Sequence, residues 1–494
     1  MRKIGFDNEA YIKKQSDQII KRIGEFGGKL YLEFGGKLYD DFHASRVLPG
    51  FEPDSKLRML RMISDQAEII IAVSALDIEK KKVRGDLGIT YDADVLRLID
   101  VFRSFDLYVG SVVITQYSGQ PAAEAFKQRM ERLGIPVYLH YPIPGYPTNV
   151  SLIVSENGYG KNDYIETSRP LVVVTAPGPG SGKMATCLSQ LYHEHKRGIK
   201  AGYAKFETFP IWNIPLKHPV NLAYEAATAD LDDVNMIDHY HLDAYGITTV
   251  NYNRDIEIFP VLRAIFREIY GECPYKSPTD MGVNMAGYCI IDDDIVSEAS
   301  CQEIIRRYYK AKADMAKGLI DESIVNRIEL LMQEKGITIY SRPVIMAALE
   351  RERQEDGPAM AIQLHDGRIV TGKTGELMGP ASAALLNAVK VMEGLARPVH
   401  MISAAAIEPI QRLKVDLLGG KNPRLHSDEV LIALSVSAAT DKTAERAFRR
   451  LSDLRGCEAH STVLLSSVDE DIYRRLGINL TCEPRYQVNR LFHK

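Results

Sequence analysis

The sequence has little cysteine and no long apolar run. Its six cysteines are scattered over 494 residues and never form a CxxC pair, so neither a disulfide framework nor a cysteine-based zinc site is expected. No segment approaches the roughly 18 consecutive apolar residues of a membrane-spanning helix, and charged residues interrupt the N-terminus before the apolar core of a signal peptide could form. These absences predict a cytoplasmic protein with reduced thiols and no membrane partner.

An excess of either charge is also missing. The 61 Lys and Arg residues nearly balance the 65 Asp and Glu residues, which gives a net charge of −4 and excludes a protein-wide electrostatic attraction for nucleic acid. The length corresponds to about three domains at roughly 150 residues each. We expect a multidomain globular protein without a nucleic-acid partner, and the sequence leaves a homo-oligomer open.

Strand-like and helix-like segments alternate through residues 1–294. Apolar residues recur at helical spacing between the strand-like segments, as in Ala122–Leu133. Buried strands that alternate with amphipathic helices predict a parallel sheet, so the first domain is expected to be α/β. The strand-like runs are Glu68–Val73, Ser111–Thr115, Pro136–Leu139 and Leu171–Thr175.

The composition changes at about residue 295. Residues 295–356 are rich in helix-forming residues and contain no convincing strand, so we predict a helical subdomain. Pro343 is expected in the first turn of its last helix. The predicted helices are Glu298–Ala313, Asp321–Glu334 and Arg342–Glu350.

Residues 357–494 return to a mixture of strands and helices. Asp366-Gly367 separates two strand-like segments and predicts a hairpin turn. A long apolar helix is expected over Pro380–Leu395, and the continuous apolar run Val430–Val436 is expected to form a core strand. The predicted fold class is therefore α/β, with a P-loop-like parallel-sheet N-terminal domain, a helical insert and a smaller C-terminal α/β domain.

Two segments approach the phosphate-binding pattern GxxxxGK[ST]. Residues 367–374 satisfy every position, but their loop positions hold strand formers that resist the tight backbone a phosphate needs. Residues 177–184 depart from the pattern at Pro177 and Met184, yet they follow the strand Leu171–Thr175 and precede a helix, which is the order a phosphate cradle requires. The predicted cofactor-binding residues are therefore Gly178, Gly180, Ser181, Gly182 and Lys183.

Met184 stands where the pattern places a hydroxyl that ligates Mg²⁺. A thioether does not bind Mg²⁺, and Thr186 is expected to face elsewhere on the helix. The predicted cofactor is ATP or a related nucleotide, and the role of Mg²⁺ stays open. Either hydrolysis is slow, or carboxylates elsewhere hold the metal, with Asp232 and Asp233 as candidates.

A short repeat precedes these segments, because Glu25–Tyr31 recurs identically at Glu33–Tyr39. One interpretation is a strand pair or hairpin with Gly-Gly turns. The other is a second anion-binding loop in the second copy, with residues from the following segment joining it. The residues of this loop would be Gly35, Gly36, Lys37, His43 and Arg46.

The densest group of metal-ligating residues is Asp238–Asp243. If the segment were extended, His239, His241 and Asp243 would share one face and could bind Zn²⁺ or Fe²⁺. A polar turn or a hydrogen-bonded cluster explains the same residues without a metal, and no metal ligands are assigned.

The hairpin region Ala361–Gly372 and the helix Ala381–Val391 resemble the opening of the cytidine-deaminase-like fold. That family carries a zinc ligand and a catalytic Glu on this helix in the pattern [HC]-x-E, where this chain has Ser382-Ala383-Ala384 and lacks the later P-C-x-x-C. The resemblance therefore implies a deaminase-like topology without the zinc chemistry.

The whole chain resembles an uncharacterised bacterial family, the domain of unknown function 1846, in segments such as Leu32–Asp54 and Thr175–Met184. The resemblance implies a bacterial cytoplasmic protein without an established activity. Some members carry the label of ATP-dependent zinc protease. The strand–loop–helix segment supports the nucleotide half of that label, and the absence of HExxH leaves the protease half unsupported.

The sequence leaves three functions open and assigns no catalytic residue. The leading hypothesis is nucleotide binding at residues 178–183, with an ATP-dependent phosphotransferase or NTPase activity. Lys205, Glu207 and His218 are candidates for its substrate pocket. The second is a non-catalytic protein that binds a phosphorylated metabolite, which Met184 favours. The third is a metal-dependent hydrolase that uses His239, His241 and Asp243.

Overall fold

Seven parallel strands form the main sheet of the computed structural model, which describes residues 3–84, 87–396 and 398–487. The sheet lies in the unit Lys3–Ser300, one of two compact units into which the chain divides, and the other unit begins at Cys301. The three-domain division drawn from composition stays a prediction. The strands of the first unit are β1 (Leu30–Phe34), β2 (Ala67–Ser74), β3 (Val83–Arg84), β4 (Ile89–Thr90), β5 (Tyr108–Thr115), β6 (Val137–Leu139), β7 (Leu171–Thr175), β8 (Gly202–Phe206), β9 (Asn235–Ile237), β10 (Val250–Tyr252) and β11 (Gly282–Val283).

Helices connect and cover these strands. None of the described helices is long and apolar enough to cross a membrane. The helices of the first unit are α1 (Asn8–Glu25), α2 (Phe42–Val47), α3 (Ser55–Arg61), α4 (Ala75–Glu79), α5 (Tyr91–Ser104), α6 (Pro121–Arg132), α7 (Val150–Ile153), α8 (Lys183–Lys196), α9 (Pro219–Ala227), α10 (His239–Tyr245), α11 (Asn253–Tyr270) and α12 (Pro278–Met281), and α13 (Asp293–Ala316) contains the division between the units.

The main sheet has the strand order β11-β8-β1-β7-β2-β5-β6, and every pairing in it is parallel. The predicted parallel sheet and its four predicted strands are confirmed, as β2, β5, β6 and β7. After β6 the chain returns to place β7 between β1 and β2, and it then crosses β1 to form β8 on the other side. The loops that follow β1, β7 and β8 therefore meet at one carboxyl edge, where open α/β sheets bind ligands.

One face of this sheet packs against α8 and α11. Val172 and Val174 of β7 point to this face, and they share a buried cluster with Leu188 of α8 and Phe259 of α11. Both valines are fully buried. β-branched residues suit such a strand because both of its faces are covered. This packing fixes where β7 ends and α8 begins.

The second unit holds a smaller sheet with the order β13-β12-β14-β15. The predicted hairpin is confirmed, because β12 and β13 pair antiparallel across a turn in which Gly367 has φ +86°. β14 pairs antiparallel with β12 and parallel with β15, and the deaminase-like topology stays a prediction. Its elements are α14 (Glu322–Glu334), α15 (Pro343–Glu355), β12 (Ala359–Gln363), β13 (Ile369–Lys373), α16 (Pro380–Met392), α17 (Ala404–Arg412), α18 (Ser427–Ala438), α19 (Lys442–Arg449), β14 (Glu458–Ser461), α20 (Ser467–Arg475) and β15 (Asn479–Cys482).

The core strand expected at Val430–Val436 is wrong, because these residues belong to the helix α18. Val430, Ala433 and Leu434 are buried, whereas Ile432 and Val436 are 62% and 65% exposed. Burial at positions i, i+3 and i+4 is helical. An unbroken apolar run hides this period, so periodicity alone does not separate a buried strand from a helix.

The strand pair or hairpin expected from the repeat is also wrong. The first copy covers the end of α1, a turn and the start of β1, whereas the second copy begins inside β1 and continues into a loop. β1 pairs in parallel with β7 and β8 rather than with a neighbouring strand of the repeat. The identical residues therefore have different structures, because the long-range pairing of β1 overrides their local preference.

Candidate functional site

The loop between β7 and α8 carries the predicted phosphate-binding residues. Gly180 and Gly182 have φ values of +76° and +83°, which favour glycine. A Cβ atom on Gly178 would lie 2.1 Å from the hydroxyl oxygen of Tyr91, so the backbone passes this ring too closely for a side chain. The expected order of strand, glycine loop and helix is confirmed.

Two side-chain hydrogen bonds hold this loop in place. Thr115, the last residue of β5, donates from Oγ1 to the carbonyl of Ser181 at 2.8 Å. Ser181 is fully buried and donates from its own hydroxyl to the carbonyl of Gly178 at 2.9 Å. The Ser181 side chain therefore supports the turn from inside.

Lys183 is the first residue of α8 and lies among charged groups. Burial lowers the pKa of its ammonium group, Lys205 and Arg254 lower it further, and Glu33 opposes them. Lys183 is thus placed where a helix N-terminus and neighbouring cations favour an anion.

Lys205 and Glu207 lie at the carboxyl end of β8 and meet two residues from other elements. Lys205 Nζ lies 2.8 Å from Glu207 Oε1, and it also contacts Asp255 of α11 and the hydroxyl of Tyr252 of β10. The Tyr252 hydroxyl donates to Glu207 Oε1 at 3.0 Å. We call these four residues the Lys205 cluster, and each of them is less than 9% exposed.

The Lys205 cluster has perturbed proton affinities. The pKa of Glu207 is raised to about 7. Burial is the largest cause, Lys205 opposes it, and Asp255 adds to it. Burial alone would lower the pKa of Lys205, but the carboxylates of Asp255, Glu207 and Glu33 raise it. A carboxyl group that titrates near neutral pH can accept and return a proton, as a general acid or base must.

Glu33 lies beside this cluster on the neighbouring strand. It is the register partner of Lys205 across β1 and β8, it is 7% exposed, and its Oε2 accepts a hydrogen bond from Tyr203 at 2.6 Å. Its charge acts on both Lys183 and Lys205. Glu33 thus stands between the glycine loop and the Lys205 cluster.

The loop after β1 holds the other predicted anion-binding residues. Gly35 approaches β8 so closely that a Cβ atom would lie 2.6 Å from the carbonyl oxygen of Phe206, and Gly36 has φ +69°. The buried Lys56 donates to the carbonyl of Lys37 at 3.1 Å and pairs with Asp41 at 2.7 Å. Anion binding by this loop stays a prediction.

His43 and Arg46 lie on the short helix α2 that follows this loop. The His43 ring packs against Phe209 and Tyr224, at centroid distances of 5.2 and 6.4 Å. Tyr224 in turn lies 6.5 Å from the ring of Tyr252 in the Lys205 cluster. An aromatic path therefore connects His43 with this cluster.

Two other predicted residues have partners that account for them. Asp233 forms an ion pair with Arg254, in which Nη2 donates to Oδ2 at 2.8 Å and Nε lies 2.5 Å from Oδ1. His218 accepts a hydrogen bond from the backbone of Val220 at the start of α9, and its Nε2 lies 3.0 Å from Asp293. These contacts explain both side chains as structural.

The extended conformation considered for Asp238–Asp243 is wrong, because the segment forms the start of α10 with Asp238 as its N-cap. Positions two apart on a helix point in different directions, so His239 and His241 do not face one ion. Nδ1 of His241 contacts the hydroxyl of Ser277 at 2.8 Å. In residues 3–84, 87–396 and 398–487, no group of three or more His, Cys, Asp or Glu side chains could hold a metal ion.

The segment that matches the phosphate-binding pattern at every position, residues 367–374, lies in the hairpin of the second unit. Lys373 follows the hairpin turn in β13 and pairs with Glu355 at 2.5 Å. Its backbone is extended in a strand rather than folded around a phosphate, as its β-branched neighbours predicted. The pattern match at residues 367–374 is therefore coincidental.

Three members of the site were missed from sequence. Tyr252 and Asp255 straddle the junction of β10 and α11, and no motif marks them. Glu33 belongs to the repeat, whose Gly-Gly pairs predicted a turn or a loop rather than a site carboxylate. Glu33 could have been found as the one carboxylate near the end of an apolar strand. Such a residue lies at the carboxyl edge of a parallel sheet, where ligands bind.

Comparison with known proteins covers nearly the whole chain. The family model described as domain of unknown function DUF1846, N-terminal, matches residues 4–336, and its C-terminal counterpart matches residues 340–492. The chain is 58% identical over 494 residues to UPF0371 proteins of Streptococcus thermophilus and Streptococcus sanguinis, with all of both chains covered. A UPF0371 protein of Streptococcus pneumoniae is similar to the same extent.

Proposed function

The chain belongs to the DUF1846 family of unknown function, and from its own residues we propose that it binds a nucleotide or another phosphorylated small molecule at the loop Gly178–Lys183. The observation that supports this proposal most is the position of the loop in the fold. It joins a buried parallel strand to a helix at the carboxyl edge of the sheet, and Lys183 is the first helical residue. Backbone N–H groups and the positive end of a helix dipole favour phosphate at such a position.

The glycines support the same proposal through their geometry. Side chains at Gly178 and Gly182 would collide with Tyr91 and press on Thr115, so the backbone is held close to both neighbours. At Gly180 a Cβ atom would meet nothing within 4 Å, which leaves open space above the loop. A bare backbone with space above it is what a phosphate group requires.

We further propose an ATP-dependent phosphotransferase or NTPase activity. The Lys205 cluster supports it, because burial raises the pKa of Glu207 to about 7 beside a buried cation. In such a reaction the loop and Lys183 would bind the phosphates, and Lys205 would compensate negative charge. Glu207 would take the proton of the attacking hydroxyl or water.

A second candidate is a protein that binds a phosphorylated metabolite without turnover. Met184 favours it, since no hydroxyl stands at the usual Mg²⁺-binding position. Thr186, the nearest hydroxyl along the helix, is fully buried. Turnover of ATP separates this candidate from the enzyme.

Calorimetric titration with ATP, ADP and inorganic phosphate, each with and without Mg²⁺, tests phosphate binding. We expect Lys183→Ala to weaken binding about 10- to 100-fold, because a charge-assisted hydrogen bond contributes about 1.5–3 kcal/mol. Lys373→Ala is the matched control, since Lys373 satisfies the pattern but lies on a hairpin, and it should leave binding unchanged. Equal binding by wild type and Lys183→Ala, or no binding by wild type, would contradict the proposal.

Release of ADP or transfer of phosphate is then measured with ATP and Mg²⁺. Turnover that Lys183→Ala abolishes supports the enzyme and removes the binding-only candidate. Binding without turnover, over acceptors that include water and simple sugars, supports the metabolite-binding protein instead.

A further inference from the structure

We propose that the cleft between α10, the second half of α11 and residues 271–276 binds a small phosphomonoester that carries an aromatic ring. The inference goes beyond the proposed function, because it assigns a second anion site away from the glycine loop. The cleft has a volume of about 660 Å³, which is typical of ligand sites. Two arginines in its wall have no anionic partner among the described residues.

The cleft is separate from the candidate site at the carboxyl edge of the sheet. Both involve α11, but Asp255 of the Lys205 cluster lies in the first turn of this helix. Arg263 and Arg267, which line the cleft, follow later in the same helix. At a rise of about 1.5 Å per residue, they lie roughly 12 and 18 Å farther along its axis. The two arginines therefore belong to a different site.

Arg263 and Arg267 are one turn apart on α11, so two like charges are neighbours on its surface. Like charges at this spacing destabilise a helix, and the preference of a last turn for a cation accounts for Arg267 alone. Neither arginine forms an ion pair or a side-chain hydrogen bond within the part of the chain that the structure describes. An anion bound between them would remove the repulsion.

Both guanidinium groups act on the same part of the cleft wall. Arg263 is half-buried, and its guanidinium carbon lies 5.8 Å from the ring centroid of the fully buried Phe259. Burial raises the pKa of Cys273, a lining residue, whereas the charges of Arg263 and Arg267 lower it. The core thus holds one arginine in position, and the second lies within electrostatic reach of the same thiol.

Tyr240 and Tyr275 give the cleft an aromatic lining. The Tyr275 hydroxyl donates to the carbonyl of Tyr203 and accepts from its backbone N–H at 3.1 Å, and the ring lies 5.0 Å from that of Phe266. The Tyr240 ring lies 4.9 Å from that of Phe259. Two rings held against the core favour a ligand with an aromatic body.

Acidic side chains restrict which anions the cleft can take. Asp243 and Glu272 line it together with Arg263, Arg267 and Lys276, so general attraction for anions is weak. Selectivity then depends on directed hydrogen bonds. Two guanidinium groups can bond separate oxygens of a tetrahedral phosphate, whereas one guanidinium already satisfies a carboxylate. The pair therefore favours a phosphomonoester over a carboxylate.

Phenyl phosphate is the probe, because it combines one phosphomonoester with one aromatic ring. Calorimetric titration of the full chain should show binding to the wild type. Inorganic phosphate and phenol, each of which lacks one half of the probe, should bind more weakly. Arg263→Gln and Arg267→Gln should each weaken the binding of phenyl phosphate about 10- to 100-fold, as the loss of a charge-assisted hydrogen bond does.

Two control variants separate the cleft from other sites. Arg132→Gln removes an exposed arginine from the last turn of α6, as Arg267→Gln does from α11, and it should leave binding unchanged. Lys183→Ala should also leave it unchanged, because Lys183 belongs to the glycine loop. If Arg263→Gln does not fold, Arg267→Gln decides, since Arg267 is exposed.

Cys273 gives a direct readout of occupancy. It lines the cleft and is half-buried, and Cys301 is half-buried elsewhere in the chain. Phenyl phosphate should slow the alkylation of Cys273 by iodoacetamide, measured by peptide mass spectrometry, and should leave the alkylation of Cys301 unchanged.

The outcomes separate this site from the proposed function. Weaker binding in both arginine variants together with protection of Cys273 supports the cleft. Absence of binding to the wild type, equal affinity of wild type and Arg267→Gln, or an unprotected Cys273 overturns it and leaves the glycine loop unaffected. Binding that is lost only in Lys183→Ala assigns the probe to the glycine loop, which overturns the cleft and supports the proposed function.

Discussion

Glu33 of β1 and Lys205 of β8 are register partners on neighbouring parallel strands. Each lies one residue before the end of its strand, and the negative charge of Glu33 helps to raise the pKa of Lys205 after the larger effects of Asp255 and Glu207. Burial would otherwise favour the neutral amine. The strand pairing therefore supports a buried cation at the carboxyl edge of the sheet, close to Lys183.

Substitution of Gly178 should disturb the loop more than substitution of Gly180. A Cβ atom on Gly178 would lie 2.1 Å from the hydroxyl of Tyr91, a ring that is only 5% exposed and has little room to move. Overpacking of this kind costs about 1–3 kcal/mol or more. We expect Gly178→Ala to lower the urea midpoint and to weaken ATP binding.

Gly180→Ala is the control for this experiment. Its Cβ atom meets nothing within 4 Å, so its cost is the positive φ alone, about 1–2 kcal/mol. Urea denaturation of both variants measures the difference. A Gly178→Ala protein as stable as Gly180→Ala would show that Tyr91 does not confine the loop.

Glu207 should make stability depend on pH between its ordinary pKa and neutrality. Its folded pKa is raised to about 7 from 4.5, so the folded state holds this proton where the unfolded state has released it. The stabilisation is full below about pH 4.5 and is lost as the pH rises through about 7. We therefore expect Glu207→Gln to be more stable relative to wild type at pH 8 than at pH 5.

Urea denaturation at pH 5 and pH 8 measures this difference. Glu166→Gln is a suitable control, because Glu166 is exposed. Its substitution should change the free energy of unfolding by the same amount at pH 5 and at pH 8. A difference between wild type and Glu207→Gln that stays constant from pH 5 to pH 8 would contradict the raised pKa.

Residues 432 and 434 distinguish the helix α18 from the strand expected by sequence. On a strand both side chains would lie on one face, whereas on a helix they point in different directions. Ile432 is 62% exposed and Leu434 is fully buried. We expect Ile432→Asp to change stability by less than about 0.5 kcal/mol and Leu434→Asp to destabilise strongly, since it buries a charge.

Thermal unfolding of the two variants is the measurement, with Leu434→Met as a conservative control. Similar losses in Ile432→Asp and Leu434→Asp would indicate that both side chains face the core.

Local signals predicted the strands of the main sheet well. Leu171–Thr175 is a fully buried strand in the structure, as its four β-branched residues indicate. The hairpin at Asp366-Gly367 was equally predictable, because two residues determine such a turn. The strand predicted at Val430–Val436 is wrong, because the composition of this apolar run suits a strand and a buried helix alike.

The glycine loop shows why context outweighs a pattern. Residues 367–374 match the phosphate-binding pattern in full and form a hairpin, whereas residues 177–184 depart from it twice and join a parallel strand to a helix. The flanking strand and helix, which are readable from hydrophobic periodicity, distinguished the two. The hairpin predicted from the repeat is wrong because long-range pairing, which no local pattern shows, decides its structure. Strand β1 pairs with β7 and β8 and not with a second strand of the repeat.

The sequence by itself determined the α/β class, most strands of the main sheet and the glycine loop with Lys183, because these depend on periodicity and on residues close in the chain. The tertiary structure decided which carboxylates surround the buried Lys205 beside that loop. Glu33 lies on β1, Glu207 directly follows β8 and Asp255 lies on α11, and the crossing from β7 over β1 to β8 places β8 beside β1. No local pattern contains that crossing, since it results from the pairing of parallel strands across the whole unit.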